Sequence, residues 1–247
     1  MRFYEEFVDN YDKLISWELR AKRETNFFKT LFEKNNVKKV LDCSCGTGQH
    51  TIIFNQLGFE ATGSDISKAM IRKAKENAEK NQITAKFIVA DFRNLTNIFE
   101  EKFDAIITVG NSLPHLMNKK EIKKAVREMY KLLNSNGTLI IEQRNFDKLI
   151  KNNIRFMPMT IREDQAFFYV LDYYPKKITF NVINLKYTNK EFKVFSVDYN
   201  PLKKDKLIKI IRKSGFSNFN IYQDYEFNNY DKSKSDLLII VCKRDSI

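Results

Sequence analysis

The sequence predicts an α/β fold in which a mainly parallel sheet carries helices on both faces and an antiparallel β cover is inserted after the fifth strand. Three observations point to it. Over residues 37–142, short apolar runs alternate with helical patterns, the rhythm of a sheet built from strand, helix and strand in turn. The first run, "VLDC", breaks at once into Gly46-Thr47-Gly48, a tight turn from a buried strand into a helix starting near Gln49. Beyond Arg144 the rhythm changes to segments rich in β-branched and aromatic residues.

Taken in order, residues 20–35 form an amphipathic leading helix with Phe27, Phe28, Leu31 and Phe32 on one side. Strands follow in "KKVLDC", "FEATGSD", "AKFIVAD", "FDAIITVG" and "GTLIIE", with helices in "SKAMIRKAKENAEK" and "EIKKAVREMYKLL". The segments "QAFFYVLDYY", "KITFNVINLKY" and "EFKVFSVDYN" read as antiparallel strands, with a reversal at "YTNKE". Helix returns in "KKDKLIKIIRKSGF", capped by Gly215, and "NFNIYQ" and "SDLLIIVCKR" supply two last strands. No repeat or low-complexity linker divides the chain, so residues 1–247 read as one domain with an inserted segment at about 145–202 that covers the ligand crevice.

Composition narrows the function classes. At 247 residues and 43% hydrophobic content the chain can bury a full core. Its charged start, "MRFYEEFVDN", is unlike a signal peptide, and no window approaches the ~18 apolar residues of a membrane span, so a soluble cytoplasmic protein is expected. Cys43, Cys45 and Cys242 form no C-x-x-C pair, which argues against a disulfide framework and against a metal site. The net charge of +12 admits a polyanion partner, yet the lysines are scattered through "KNNVKK", "KKEIKK", "YPKKI" and "LKKDKL" without interleaved aromatics. That dispersal favours a solvated surface over a nucleic-acid groove.

In such a sheet the ligand lies beyond the carboxyl ends of the strands, so polar residues just after each strand are the candidates. A nicotinamide fingerprint wants a third glycine where this chain has Thr51, and a Walker loop wants a Gly-Lys-Ser/Thr that is absent. Asp42-Cys43-Ser44-Cys45-Gly46-Thr47-Gly48 instead resembles motif I of the class I S-adenosylmethionine-dependent methyltransferases, and that resemblance implies their Rossmann-like sheet. Gly46 and Gly48 let the loop approach the methionine part of that ligand without Cβ contact, and Asp42 can accept from backbone amides or the ligand's ammonium. Asp65, 23 residues after Asp42, is placed to accept from a ribose diol, Asp91 from an adenine amino group, and Phe92 offers a backbone N–H and an apolar wall. The resemblance implies a cofactor site of Asp42, Cys45, Gly46, Gly48, Asp65, Ile66, Asp91 and Phe92.

The fourth strand leads into Gly110-Asn111-Ser112-Leu113-Pro114-His115-Leu116 in place of the Asn/Asp-Pro-Pro-aromatic run of many nucleic-acid amino methyltransferases. The fifth ends in "IEQRNFD", which puts Arg144 on the same rim as Asn111. A guanidinium there needs an anion: a substrate carboxylate, or internally Asp147 or Glu142. "FVDNYDKLISWELRAKRE", "CGTGQH", "GNSLPHL", "QRNFD" and "NPLKKD" together resemble the glycine/sarcosine N-methyltransferases over nearly the whole chain. That resemblance implies that Arg144 and Asn111 hold the amino acid's carboxylate, that Arg20 reaches the cofactor's carboxylate, and that His115 lines the site. The Gly110 carbonyl and tyrosines, Tyr4 and Tyr11 among them, are candidates to orient the amine, and His115 is a candidate proton acceptor. The expected partner is a small amino acid; the alternatives are another small amine or RNA as acceptor, or a non-catalytic S-adenosylmethionine-binding module.

Overall fold

The computed structural model describes residues 2–245. Helices α1 (Arg2–Leu14) and α2 (Trp17–Lys34) precede β1 (Lys39–Asp42), α3 (Gln49–Gln56), β2 (Glu60–Asp65), α4 (Lys68–Lys80), β3 (Lys86–Val89), β4 (Phe103–Thr108), α5 (Lys119–Leu132) and β5 (Leu133–Arg144). A short helix, α6 (Phe146–Lys151), leads into β6 (Phe156–Ile161), β7 (Gln165–Tyr173), β8 (Ile178–Lys186) and β9 (Phe192–Tyr199). The described chain ends with α7 (Lys204–Arg212), β10 (Phe216–Tyr222) and β11 (Leu237–Arg244).

Seven strands form the main sheet in the order β10-β11-β5-β4-β1-β2-β3. The five from β5 to β3 run parallel, and β11 pairs antiparallel with both β5 and β10. Because both faces are covered, consecutive residues of a strand enter opposite cores. Leu41, Ile106, Leu139 and Ile141 pack toward Val126 and Met129 of α5. Their neighbours Val40, Ala105, Ile107 and Ile140 pack toward Phe27, Phe28 and Phe32 of α2 and Phe54 of α3. Apart from Ala105, each of these side chains contributes about 1.5–3 kcal/mol by its burial. The expected α/β class and parallel sheet are therefore present.

The cover is a separate antiparallel sheet in the order β6-β7-β8-β9. Phe7 of α1 packs on it, with ring centroids 4.9 Å from Phe195 and 6.0 Å from Phe167. On its other side α1 packs Val8 against Ala69 and Met70 of α4. This helix thus ties the cover to the main sheet. Neither α1, α6 nor β6 was expected from the sequence.

Two boundaries also differ. The leading helix begins at Trp17 rather than Arg20, because the Ser16 hydroxyl accepts from the Leu19 amide and caps it. Helix α7 stops at Arg212, and Gly215, at φ +104°, lies in the turn beyond it. Strand β1 has β2 on one side and β4 on the other, so the strand order reverses there and a crevice opens beyond their carboxyl ends.

Candidate active site

Two adjoining cavities occupy that crevice. The first, about 340 Å³, is walled by the loop from Cys43 to Thr47, by Asp65 and Ile66, and by Asp91 to Arg93. The second, about 600 Å³, is walled by Asn111, Glu142 and Arg144 and by Tyr169, Phe180 and Tyr199 of the cover. Tyr4, Tyr11, Arg20 and Gly110 line both, so these four stand where the two spaces meet.

The first cavity is built on three strand ends. Asp65, closing β2, accepts from the Gly46 amide (3.0 Å) and the Ser67 amide (2.9 Å), which fixes the loop after β1 to the loop after β2. Gly46 holds φ +52°, and a Cβ there would meet the Tyr11 ring at 3.8 Å. Gly48, at φ +88°, is needed for packing instead, since a Cβ would stand 2.9 Å from the Ala74 Cβ and 3.0 Å from the Phe87 ring. Its missing side chain lets α3 begin against α4 and β3, and it does not touch the cavity. Asp42 also stands behind the wall, wholly buried, with Oδ1 accepting from the Ser44 amide (3.2 Å) and Oδ2 unpartnered. Burial pushes its pKa up to about 7. Asp91 is gripped by Arg93, whose Nε donates to both carboxylate oxygens (3.0 and 2.9 Å) and whose Nη1 reaches Glu121 (2.6 Å).

Arg20, one turn into α2, donates from Nε to Glu24 Oε2 (3.1 Å), and its Nη2 lies 3.8 Å from where a Gly110 Cβ would stand. Glu24 is 2% exposed and also pairs with His50 (2.8 Å) and Arg23. Burial works against its charge, but the Arg20 cation, the His50 hydrogen bond and Arg23 together hold its carboxyl well below the usual range.

The second cavity is built on β4, β5 and the cover. Gly110 and Asn111 follow β4 with φ +72° and +65°. Their left-handed backbone turns the Gly110 amide to donate to Glu142 Oε2 (2.6 Å), while Asn111 Oδ1 accepts from the Arg144 amide (3.0 Å). Asn111 Nδ2 is buried with no partner at hydrogen-bond distance, and the Tyr199 hydroxyl is the side-chain group it acts on. The Arg144 guanidinium lies over the Phe180 ring, 5.2 Å from its centroid, and among the described residues no carboxylate lies within salt-bridge range of it. The internal ion pairs considered for it do not form: Glu142 accepts from Gly110, and Asp147 from the Lys204 amide with Lys232 nearby. His115 meets the Tyr4 hydroxyl at Nε2 (2.8 Å), its ring centroid is 4.7 Å from that of Tyr199, and burial lowers its pKa to about 4.

Of the positions expected from the sequence, Arg20, Cys45, Gly46, Asp65, Ile66, Asp91, Phe92, Gly110 and His115 line the first cavity, and Asn111 and Arg144 the second. Asp42 and Gly48 line neither. Sequence reasoning missed the facing of Glu142 into the second cavity, the Glu24 network and the grip of Arg93 on Asp91. The first was signalled by spacing alone, since residues two apart on a strand share a face. Among the described residues no group of metal-ligating side chains is assembled, and no helix is long and apolar enough to cross a membrane.

Residues 40–137 match the family described as "Methyltransferase domain". The chain is 30% identical to a glycine/sarcosine N-methyltransferase of Aphanothece halophytica, over 98% of this chain and 90% of that one. It is likewise 30% identical to the protein of that name from Halorhodospira halochloris, over 97% of this chain and 87% of the other. Its fold is similar to that of an S-adenosylmethionine-dependent methyltransferase from Clostridium acetobutylicum, with a TM-score of 0.83 at 18% identity, covering 98% of this chain and 99% of that one. The CcbJ methyltransferase of Streptomyces caelestis aligns with a TM-score of 0.81 at 18% identity, over 99% of this chain and 98% of its own.

Proposed function

We propose, for a chain that belongs to the glycine/sarcosine N-methyltransferase family, that its acceptor is a small amino acid, glycine and/or sarcosine, methylated on nitrogen. The donor is S-adenosylmethionine, which when bound supplies a methyl group on a positively charged, electrophilic sulfur. The first cavity suits that group. Each Asp65 oxygen accepts one backbone amide and keeps a lone pair for a ribose hydroxyl, Ile66 and Phe92 offer apolar surface, and Gly46 leaves the loop bare. Asp91 would meet the adenine end together with Arg93, and Arg20 would meet the carboxylate end where the cavities join.

The observation that carries the acceptor reading is Arg144. A half-buried guanidinium with no carboxylate in range among the described residues, on the same cavity wall as Asn111, whose amide nitrogen makes no hydrogen bond within the protein, offers a fork and a donor for a carboxylate. Holding that carboxylate fixes the amine at the junction lined by Tyr4, Tyr11 and Gly110, and orientation of this kind supplies most of the acceleration when the electrophile is already activated. His115, held neutral by burial, positions the Tyr4 hydroxyl. The chain works as one methyltransferase domain whose β6–β9 sheet shields the acceptor. Its three buried, unpaired cysteines support a reducing, cytoplasmic setting.

The test is incubation with labelled S-adenosylmethionine and glycine, sarcosine, dimethylglycine, ethanolamine or bulk RNA. Label in glycine or sarcosine is expected. Label in RNA alone, or in ethanolamine but neither amino acid, overturns the reading.

A further inference from the structure

The second cavity holds a buried anion as well as a cation. Glu142 and Arg144 are two residues apart on β5, so their side chains leave the same face of the strand about 7 Å apart along it. Both reach the cavity wall, and they do not pair with each other. Glu142, 6% exposed, has a single hydrogen bond, from the Gly110 amide, and no cation within salt-bridge range among the described residues. An unpaired anion and an unpaired cation on one wall complement a molecule that carries both charges.

We infer that Glu142 receives the ammonium group of a zwitterionic amino acid whose carboxylate lies on Arg144, and takes the proton that the ammonium must lose before it can be methylated. The inference rests on the amino-acid reading above. The proton passes from the acceptor nitrogen to a Glu142 oxygen, and the freed lone pair forms the N–C bond to the methyl carbon. The electrons of the broken C–S bond stay on sulfur, and Glu142 yields its proton to solvent after product leaves.

The other ionisable groups around Glu142 leave this role to it. Glu24 of α2 is engaged by Arg20, Arg23 and His50, which leaves no free carboxylate oxygen pair for an ammonium group. Tyr199 of β9 and Tyr225 after β10 face the carboxylate, and burial raises the pKa of both phenols, so neither supplies charge. Burial raises the Glu142 pKa and the neighbouring Glu24 charge adds to it; the Gly110 amide, Arg20 and Arg144 favour the ionised form without outweighing burial, so it is a stronger base than a surface carboxylate. His115 is the weaker base, its pKa lowered by burial and its Nε2 engaged by Tyr4.

The discriminating variant is Glu142→Gln, which keeps an oxygen for the Gly110 amide and loses charge and basicity. Near neutral pH, kcat/KM for glycine should fall about a hundredfold or more, and the deficit should narrow as pH rises and the free amine arrives already deprotonated. Calorimetric affinity for glycine in the presence of S-adenosylhomocysteine should fall about tenfold, while affinity for S-adenosylhomocysteine itself stays within about threefold. Glu142→Asp should recover part of the loss. Full activity in Glu142→Gln, or an equal loss at every pH, overturns the inference while leaving the carboxylate clamp standing. A wild-type enzyme inactive on both glycine and sarcosine overturns instead the reading beneath it.

Discussion

The two cavities meet at the same four residues yet are wired differently. On the side of β1 to β3, the charged groups of the wall are matched within the protein: Asp65 by two amides and Asp91 by Arg93. On the side of β4, β5 and the cover, among the described residues, Arg144 and Glu142 have no countercharge in contact and the Asn111 amide nitrogen has no hydrogen-bond partner. A site whose groups are already matched holds its shape before the ligand arrives. A site whose groups are unmatched carries a desolvation cost that a complementary ligand relieves, which is a source of selectivity. The first side is thus preorganised and the second discriminating.

The largest expected effect comes from removing the unmatched cation. Arg144→Ala should cost roughly 2–5 kcal/mol in kcat/KM for glycine or sarcosine, and Arg144→Lys should fail badly as well because a point charge does not replace a planar fork. Affinity for S-adenosylhomocysteine should hardly change, and a parallel loss there would erase the contrast between the two sides. Next is Asp65→Ala, which removes a diol acceptor and frees the Gly46 loop together. S-adenosylhomocysteine affinity by calorimetry should fall by about 1.5–3 kcal/mol, and an unchanged value would mean the first cavity is not organised by Asp65.

A smaller effect separates shape from charge. The Asp42 pKa is raised from its ordinary carboxylate value to about 7, so the folded protein binds more protons than the unfolded chain between those limits. Its stability contribution is therefore largest when Asp42 is protonated and declines as pH rises through that window. Relative to Asp42→Asn, the wild-type protein should lose roughly 2–4 °C in Tm for each kcal/mol of that decline, followed by thermal melts across the window. A constant gap would mean that Asp42 stays ionised throughout. The smallest expected effect is Tyr4→Phe, which deletes the hydroxyl on His115 where the cavities join and should cost about 0.5–1.5 kcal/mol in kcat/KM.

The parallel sheet was legible because its strands are buried on both faces and read as apolar runs, and because each run stops at a glycine or an acid. The wall of the first cavity was legible for a related reason: Asp65, Ile66, Asp91 and Phe92 sit at strand ends in chain order. Strand β6 was hidden by Pro158, which breaks a strand pattern unless the strand lies at an edge. Here it does, and the register with β7 shifts between Met157 and Thr160 around that proline. Helix α1 carries its apolar residues Phe3, Phe7, Val8, Tyr11 and Leu14 at helical spacing but is heavily charged between them, and its partners lie in the cover and α4, far along the chain. Arg144 stood out because a cation after an interior strand asks for an anion. Glu142 did not, because whether it answered that request or faced the second cavity depended on the Gly110 amide, a contact across 32 residues.

The most direct measurement of the central claim is the ratio of kcat/KM for glycine to that for ethanolamine, in the wild-type enzyme and in Arg144→Ala. The two acceptors share a primary amine and differ in the carboxylate. A carboxylate clamp at Arg144 predicts a strong wild-type preference for glycine that collapses in the variant, chiefly through loss of the glycine rate. Equal wild-type rates on the two amines, or a preference that survives the loss of Arg144, would contradict it.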